Sequence, residues 1–271
     1  SEKSPLTALR MAQLALDAGI PAGVLNVLPG YGHTVGKALA LHMDVDTLVF
    51  TGSTKIAKQL MIYAGESNMK RVWLEAGGKS ANIVFADAPD LKAAAEAAAA
   101  AICFNQGEMC TAGSRLLVER SIKDTFMPMV LEAMQDWKAG HALDPDTKVG
   151  ALVDAGHLNA VLGYIDAGHK DQAKLLCGGK RTLEETGGQY VEPTIFDDAH
   201  NAMRIAQEEI FGPVLTVIPF DSTEEAIQIA NDSIYGLAAA IWTSNLSKAH
   251  LAAKALRVGS MWVNQYDGGD M

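Results

Sequence analysis

TLVFTGSTKIAKQLMIYAGESNMKRVWLEA, residues 47–76, is the stretch that decides the fold. It begins with an apolar run, Thr47–Thr51, that passes through a glycine turn. A helical segment carrying Lys55 and Lys58 follows, and RVWLEA (71–76) is a second short apolar run. A strand followed by a helix and another strand is typical of a parallel sheet covered by helices on both faces. The stretch therefore predicts an α/β fold.

The same alternation extends in both directions from this stretch. Upstream, we predict a helix that Ser4 caps and Gly19 ends, and then a short strand at Val24–Leu28. Downstream, the predicted strands are SANIVFAD (80–87), SRLLVERS (114–121), AKLLCGG (173–179), YVEPTIF (190–196), PVLTVIPF (213–220), LAAAIWT (237–243) and VGSMWVN (258–264). The predicted helices between them cover residues 90–104, 122–137, 154–170, 223–230 and 246–256.

The double glycine Gly77–Gly78 is the predicted domain boundary. We expect two α/β lobes, residues 1–77 and 78–271, each with a parallel or mixed sheet covered by helices. Folds of this class bind ligands in crevices at the carboxyl ends of their strands. We therefore expect a site between the lobes, at those strand ends.

Composition excludes several classes of protein. Hydrophobic residues make up 49% and charged residues 20% of the chain, as in soluble globular proteins. No apolar run is long enough to span a membrane, and a net charge of −10 argues against nucleic acid and anionic membranes as partners. Three cysteines are too few to stabilise a secreted fold through disulfide bonds, which favours a cytoplasmic location. Scattered histidines and the lack of a CxxC pair predict no metal site.

Cys110 is the first candidate for chemistry. It follows the polar loop 105–108 at the end of an alanine-rich helix, and small residues (111–113) come after it. A thiol between small residues on a loop is open to a substrate, and its thiolate is a strong nucleophile. On composition alone, a buried cysteine that packs as a small hydrophobe is the commoner case. We keep that interpretation for Cys103 and Cys177.

Glu75 and the turn at Gly52–Ser53 are further candidates. Glu75 ends an apolar strand just before two glycines, so it can point into a cleft as a general base. A solvated glutamate is the alternative. Gly52–Ser53 lead from a strand into a helix, whose amino terminus can bind an anion such as a pyrophosphate. A plain strand-to-helix turn is the alternative there.

Four ordered motifs carry a family resemblance. LEAGGK (74–79) and FNQGxxC (104–110), with Cys110 35 positions after Glu75, resemble the paired signature of the aldehyde dehydrogenase superfamily. FTGST (50–54) and EEIFGP (208–213) occur in the order typical of that family. The resemblance runs the length of the chain and is closest to the bacterial γ-glutamyl-γ-aminobutyraldehyde dehydrogenases of putrescine degradation. It favours a nucleophile at Cys110 and a base at Glu75 over the structural alternatives.

The resemblance implies NAD-dependent oxidation of an ω-amino or medium-length aldehyde to the acid. Cys110 would attack the carbonyl to give a thiohemiacetal, hydride would pass to NAD, and Glu75 would activate the water that hydrolyses the thioester. Residues 1–77 would belong to a Rossmann-like cofactor-binding domain and residues 78–271 to the catalytic domain. The full-length protein would be a cytoplasmic homo-oligomer.

The resemblance also implies which residues contact NAD. Glu2 matches the acidic residue that accepts hydrogen bonds from the adenine ribose, and Gly52 and Ser53 match the pyrophosphate contacts. Glu209 matches the glutamate that binds the nicotinamide ribose, and Phe211 lies beside the nicotinamide. A carboxylate at Glu2 repels a 2′-phosphate, which favours NAD over NADP.

Several segments that are typical of the family do not occur in this sequence. We therefore expect the chain to be a fragment of a longer enzyme, incomplete at its carboxyl end and not fully active alone. Two alternatives to the oxidoreductase stay open. One is a non-catalytic fragment with a structural or binding role. The other is a cofactor-independent thiol esterase that uses Cys110 and Glu75.

Overall fold

The chain divides into two compact units, one ending at Ala76 and the other beginning at Gly77. We call them unit 1 and unit 2. The computed structural model describes residues 1–268. The division falls one residue before the boundary that the sequence places at residue 77.

Unit 1 carries a pair of parallel strands. Its elements are α1 (Leu6–Asp17), α2 (Lys37–Leu41), β1 (Thr47–Thr51), α3 (Thr54–Glu66) and β2 (Arg71–Glu75). β1 and β2 run in register from Thr47 opposite Arg71 to Thr51 opposite Glu75. Exposed and half-buried residues alternate along both strands, as the two-residue period of a strand requires when one face is covered.

Two predicted details of unit 1 are wrong. Val24–Leu28 is not a strand, and Val24 is 72% exposed. A strand forms only beside a hydrogen-bonded neighbour, and the strands that pair in this unit are β1 and β2. Ser4 does not cap α1, because the N-cap is Pro5, which has an α-helical backbone and no side-chain bond to the helix.

Unit 2 alternates strands and helices, as predicted. Its elements are β3 (Ala81–Val84), α4 (Leu91–Cys103), β4 (Arg115–Glu119), α5 (Lys123–Met134), α6 (Ala155–Lys170), β5 (Lys174–Cys177), β6 (Arg181–Thr182), β7 (Tyr190–Val191), β8 (Thr194–Asp197), α7 (Arg204–Gln207), β9 (Val214–Phe220), α8 (Thr223–Asn231), β10 (Ala238–Trp242), α9 (Leu246–Ala255) and β11 (Ser260–Val263). The predicted strand 190–196 is split into β7 and β8 around Pro193, which has no N–H for a ladder.

Within the described residues, the main sheet of unit 2 has seven strands in the order β11-β10-β3-β4-β9-β8-β5. Neighbouring strands are parallel except for β5, which pairs antiparallel with β8. β6 and β7 form a small separate hairpin. The predicted class, an α/β protein with parallel and mixed sheets, is confirmed.

Helices cover both faces of this sheet. Along β4, Leu116 and Val118 pack with α4 and α5 in one core cluster, whereas Leu117 packs with α6, α8 and α9 in the other. All three leucine and valine side chains are fully buried. Because neighbouring residues of a strand point to opposite faces, a continuous apolar strand is what a sheet covered on both sides needs. Within residues 1–268, no helix is long and apolar enough to cross a membrane.

Arg115, at the start of β4, ties the sheet to the surrounding loops. Its side chain is 2% exposed. The guanidinium donates to the carbonyls of Lys79, Ile229 and Ala230 at 2.8–2.9 Å and to the Asn201 side chain at 3.0 Å. A buried charge is tolerated only when its donors are satisfied in this way. Arg115 therefore fixes the loop before β3 against the end of α8.

Candidate active site

Cys110 lies on the connection between α4 and β4 and is partly buried. Asn105 and Gln106, just before it, adopt left-handed backbone conformations with φ of 48° and 56°. Such conformations persist only where neighbouring contacts hold them. The Asn105 amide donates to the Glu108 carbonyl at 3.1 Å, and the Gln106 side chain accepts from the Gly150 N–H at 3.0 Å. Side-chain hydrogen bonds thus fix the backbone of the segment that precedes Cys110.

Glycines allow two other loops to approach this one closely. A Cβ on Gly78 would lie 2.2 Å from the Cys110 carbonyl oxygen, and a Cβ on Gly107 would lie 2.4 Å from the backbone of Gly212. Only glycine avoids these clashes, so the three backbones touch. The loop at Gly78 precedes β3, Cys110 precedes β4 and Gly212 precedes β9. The loops therefore converge at the amino ends of parallel strands. The prediction that the site lies at the carboxyl ends of the strands is wrong for unit 2.

Glu209 lies in the third of these loops, against the double glycine. Its Oε1 accepts from the Gly78 N–H at 3.3 Å, and a Cβ on Gly77 would lie 2.0 Å from its Oε2. Burial raises the pKa of Glu209, while the Gly78 N–H and the charge of Lys79 oppose that rise. The structure thus brings the predicted Glu209 to the LEAGGK motif.

Lys79 is a residue of this site that the sequence analysis missed. It is 2% exposed. Burial lowers the pKa of Lys79 to about 7, with repulsion from Arg115 acting in the same direction, whereas Glu209 and Glu208 oppose the shift. The available signal was a lysine between a double glycine and a mainly apolar strand, where a charge is difficult to solvate.

Phe211 has a left-handed backbone, with φ of 56°, and a ring that is 40% exposed. Its carbonyl accepts a hydrogen bond from Nε2 of His157 at 2.6 Å. The same nitrogen lies 3.4 Å from Oε1 of Glu108, two residues before Cys110. His157, in the first turn of α6, therefore links the Phe211 loop to the Cys110 loop. Nothing local in the sequence marks His157, because only the fold brings these loops together.

Three predicted residues of unit 1, Gly52, Ser53 and Glu75, lie at the carboxyl ends of β1 and β2. The Gly52 N–H donates to the Glu75 carbonyl at 3.0 Å, so the turn and the end of β2 are joined. Ser53 caps α3, its Oγ accepting from the Ile56 N–H at 3.4 Å. The Glu75 side chain is exposed, and Glu2 lies in an exposed turn before α1. The dipole of α3 at Ser53 favours an anion.

An apolar pocket of about 240 Å³ lies beside the Cys110 loop within unit 2. Its wall is formed by α4, by both neighbours of Cys110 and by the segment after β11, through Ala97, Ala100, Ala101, Phe104, Met109, Thr111, Ala112, Tyr266 and Asp267. The Tyr266 hydroxyl donates to the Thr111 carbonyl at 2.7 Å. Asp267 is the acidic member of this lining. The pocket can hold the apolar part of a small molecule beside the loop that carries Cys110, although Cys110 itself does not line it.

The other cysteines have structural surroundings. Cys103 is fully buried on α4 and Cys177 is partly buried on β5. Burial raises the pKa of both thiols, which disfavours the reactive thiolate. Across residues 1–268, no group of three or more His, Cys, Asp or Glu side chains is arranged to hold a metal ion.

Comparisons with known proteins agree on one family. The sequence model described as "Aldehyde dehydrogenase family" matches residues 1–271. The NADP/NAD-dependent aldehyde dehydrogenase PuuC of Escherichia coli K12 is 54% identical over all 271 residues, which cover 54% of PuuC. The chain spans about half the length of the curated relatives it matches.

Two solved structures share the fold and half or more of the residues. One is the indole-3-acetaldehyde dehydrogenase AldA of P. syringae in complex with NAD+ and IAA, 79% identical with a TM-score of 0.98. The other is the γ-glutamyl-γ-aminobutyraldehyde dehydrogenase of Burkholderia cenocepacia, 59% identical with a TM-score of 0.97. They align with 100% and 99% of this chain, and the aligned parts are 55% and 54% of their own chains.

Proposed function

Since the chain belongs to the aldehyde dehydrogenase family, we propose that the protein oxidises an aldehyde to the carboxylic acid with NAD, through a covalent adduct on Cys110. The observation that carries this proposal is the convergence in unit 2 of the Cys110 loop, the double-glycine loop and the loop of Glu209. A nucleophile and a cofactor carboxylate on touching loops are what a hydride transfer from a bound adduct requires.

The residues present fit a dinucleotide. In unit 2, Glu209 is a half-buried carboxylate held against two glycines, which suits an acceptor for ribose hydroxyls. In unit 1, the capped amino terminus of α3 at Gly52–Ser53 suits a pyrophosphate. We assign Glu209 and Phe211 to the nicotinamide end, Gly52 and Ser53 to the pyrophosphate, and Glu2 to the adenine ribose. The chemistry that bound NAD supplies is acceptance of a hydride.

Cys110 performs the covalent steps. Its thiolate adds to the aldehyde carbon, and the carbonyl π electrons move to oxygen to give a thiohemiacetal. The backbone N–H of Cys110 stabilises the developing oxyanion. Loss of the hydride from the same carbon converts the adduct into a thioester, which water then cleaves to the acid and the free thiol.

Glu75 acts in the last of these steps. As an exposed carboxylate at the end of β2, it can take a proton from the water that attacks the thioester. The hydrogen bond between the Gly52 N–H and the Glu75 carbonyl fixes the backbone that carries it. We infer that unit 1 is the carboxyl-terminal part of the cofactor-binding domain and that unit 2 is part of the catalytic domain.

The pocket beside the Cys110 loop, which both neighbours of Cys110 line, supports a substrate class. Its wall of alanines, Phe104 and Met109 suits an apolar chain or ring, and Asp267 adds one acceptor for an N–H group. We propose aldehydes that combine a medium-length apolar body with an amino or N–H group. AldA and the Burkholderia enzyme are named for indole-3-acetaldehyde and γ-glutamyl-γ-aminobutyraldehyde, aldehydes that each contain an N–H group. The cytoplasmic location and the homo-oligomer stay predictions from the sequence.

The test is NADH formation by the full-length protein, followed by absorbance with short aliphatic, ω-amino and indolic aldehydes. We expect turnover with the second and third groups, and loss of at least about a thousandfold in Cys110→Ala. Cys177→Ala is the matched control and should keep wild-type activity. Ester cleavage without NAD, together with no NADH from any aldehyde, would instead establish the esterase alternative.

A further inference from the structure

Lys79 has surroundings that its structural role alone does not explain. Its side chain is 2% exposed, and among the described residues its Nζ has no hydrogen-bond partner. Burying an unpaired ammonium is costly. The other fully buried cation of this region, Arg115, is satisfied by bonds to four neighbours. A methionine would fill the Lys79 position without that cost.

The charged groups facing Lys79 come from β4 and from the loop after α7. Arg115 on β4 repels its ammonium, and Glu208 and Glu209 after α7 attract it. Glu208 is already engaged, because its Oε2 accepts from Tyr164 at 2.9 Å and from Arg204 at 3.0 Å. Glu209 is thus the carboxylate on which the charge of Lys79 acts most directly.

Glu209 needs such a cation. It is half-buried, and a Cβ on Gly77 would touch its carboxylate, so the double-glycine loop takes the place of water on that side. Burial favours the protonated form of a carboxyl group. A protonated Glu209 has lost part of its capacity to accept hydrogen bonds from two ribose hydroxyls. Burial raises the pKa of Tyr235, the remaining titratable neighbour, so its hydroxyl stays neutral and supplies no charge.

We propose that Lys79 is a positioning residue for the nicotinamide ribose, which keeps Glu209 ionised as the acceptor of the ribose hydroxyls. This inference rests on the proposed function of Glu209. Lys79 acts through Glu209 and contacts neither the substrate nor the cofactor.

The directions of the two pKa shifts set the pH at which the effect is larger. With a pKa of about 7, Lys79 is charged at pH 6 and mostly neutral at pH 8. Burial raises the pKa of Glu209, so protonation of its carboxylate competes at the acid end. Lys79 therefore stabilises the ionised form of Glu209 at pH 6, because its own ammonium is charged there. At pH 8, Lys79 carries little charge and contributes little to the stability of the carboxylate.

The experiment is a fluorescence titration of the full-length protein with NADH at pH 6 and pH 8. Lys79→Met should weaken binding roughly three- to tenfold at pH 6, as expected for a change of up to one unit in the pKa of Glu209. It should have little effect at pH 8. In a Glu209→Gln background, Lys79→Met should change binding at neither pH, because the group through which it acts is gone. Lys79→Gln gives a second, polar replacement.

The control variant is Lys123→Met, which removes a lysine that follows the carboxyl end of β4 and pairs with Asp197 at 3.0 Å, whereas the site loops lie at the amino ends of the strands. It should leave NADH binding unchanged at both pH values. Equal weakening by Lys79→Met at pH 6 and pH 8, or in the Glu209→Gln background, would reduce Lys79 to a packing role and overturn the proposal. If the wild type binds no NADH at either pH, the proposed function fails together with this inference. If the wild type binds NADH and Lys79→Met binds it equally well at both pH values, the inference about Lys79 fails and the proposed function stands.

Discussion

Unit 1 and unit 2 place their predicted site residues at opposite ends of parallel strands. In unit 1, Gly52 and Glu75 lie where β1 and β2 end, beside the amino terminus of α3. In unit 2, Gly78, Cys110 and Phe211 lie before strands begin. Strand-to-helix turns expose helix amino termini, which suit phosphate groups. Helix-to-strand loops carry no such dipole, and here they hold the thiol and the carboxylate of Glu209.

The two units also differ in how far they are buried. Unit 2 packs helices on both faces of its main sheet and has a core cluster on each side. In unit 1, α1 has no buried residue, and Val49 and Trp73 on the paired strands are 74% and 58% exposed. Because burial of apolar surface dominates folding free energy, we expect unit 2 to supply most of the stability of this chain.

Glu75→Gln tests whether unit 1 contributes chemistry as well as binding. The variant should keep the first-turnover burst of NADH, because the thiol and cofactor contacts are intact. Its steady-state rate should fall about 10²- to 10⁴-fold, the usual contribution of a general base. Stopped-flow absorbance separates the two phases. Glu66→Gln, at the exposed end of α3, should change neither, and loss of the burst in Glu75→Gln would remove Glu75 from the hydrolytic step.

A pair of leucines tests the difference in burial. Leu117→Ala, in the fully buried β4, should lower the free energy of unfolding by about 2–5 kcal/mol. Leu14→Ala, on the solvent-covered α1, should change it by less than about 0.5 kcal/mol. Urea denaturation of the 271-residue chain measures both. Equal losses would show that unit 1 is as well packed as unit 2.

A pair of glycines tests the contact between the loops of unit 2. In Gly78→Ala, the new Cβ would meet the Cys110 carbonyl oxygen at 2.2 Å, so backbone must shift. We expect a loss of about 1–3 kcal/mol in stability and a roughly tenfold lower kcat. Gly163→Ala, inside α6 with nothing within 4 Å of the new Cβ, should instead stabilise by about 0.5–1 kcal/mol. Unchanged kcat in Gly78→Ala would mean that the Cys110 loop tolerates displacement.

The burial of Lys79 in unit 2 predicts a pH dependence of stability. Its folded pKa of about 7 lies below the ordinary lysine value of 10.5, so between these values the unfolded chain binds a proton that the folded chain does not. Stability from this group therefore rises with pH across that window, by about 1.4 kcal/mol per pH unit at most. Lys79→Met should lack this rise and be more stable than wild type at pH 6. Parallel pH curves for the two proteins from urea unfolding would contradict it.

The sequence by itself determined the α/β class, most helices and strands of unit 2, and the residues of the four motifs. These features are local, since apolar periodicity and glycine turns act within a few residues. Cys110 and Glu209, 99 positions apart, could be named as candidates in this way, but the spacing said nothing of how their loops meet. The prediction of a strand at Val24–Leu28 was wrong because an apolar run becomes a strand only where a partner strand is available.

Only the tertiary structure decided at which strand ends the candidate site lies. It also added residues to the site that no sequence motif marks. Gly107 against Gly212, His157 between Phe211 and Glu108, and Lys79 near Glu209 all depend on contacts between segments distant in the chain. Burial of Lys79 follows from the surrounding segments and not from its own neighbours in sequence. The environment that sets its charge exists only once the sheet has assembled, which is why sequence patterns could not assign it a role.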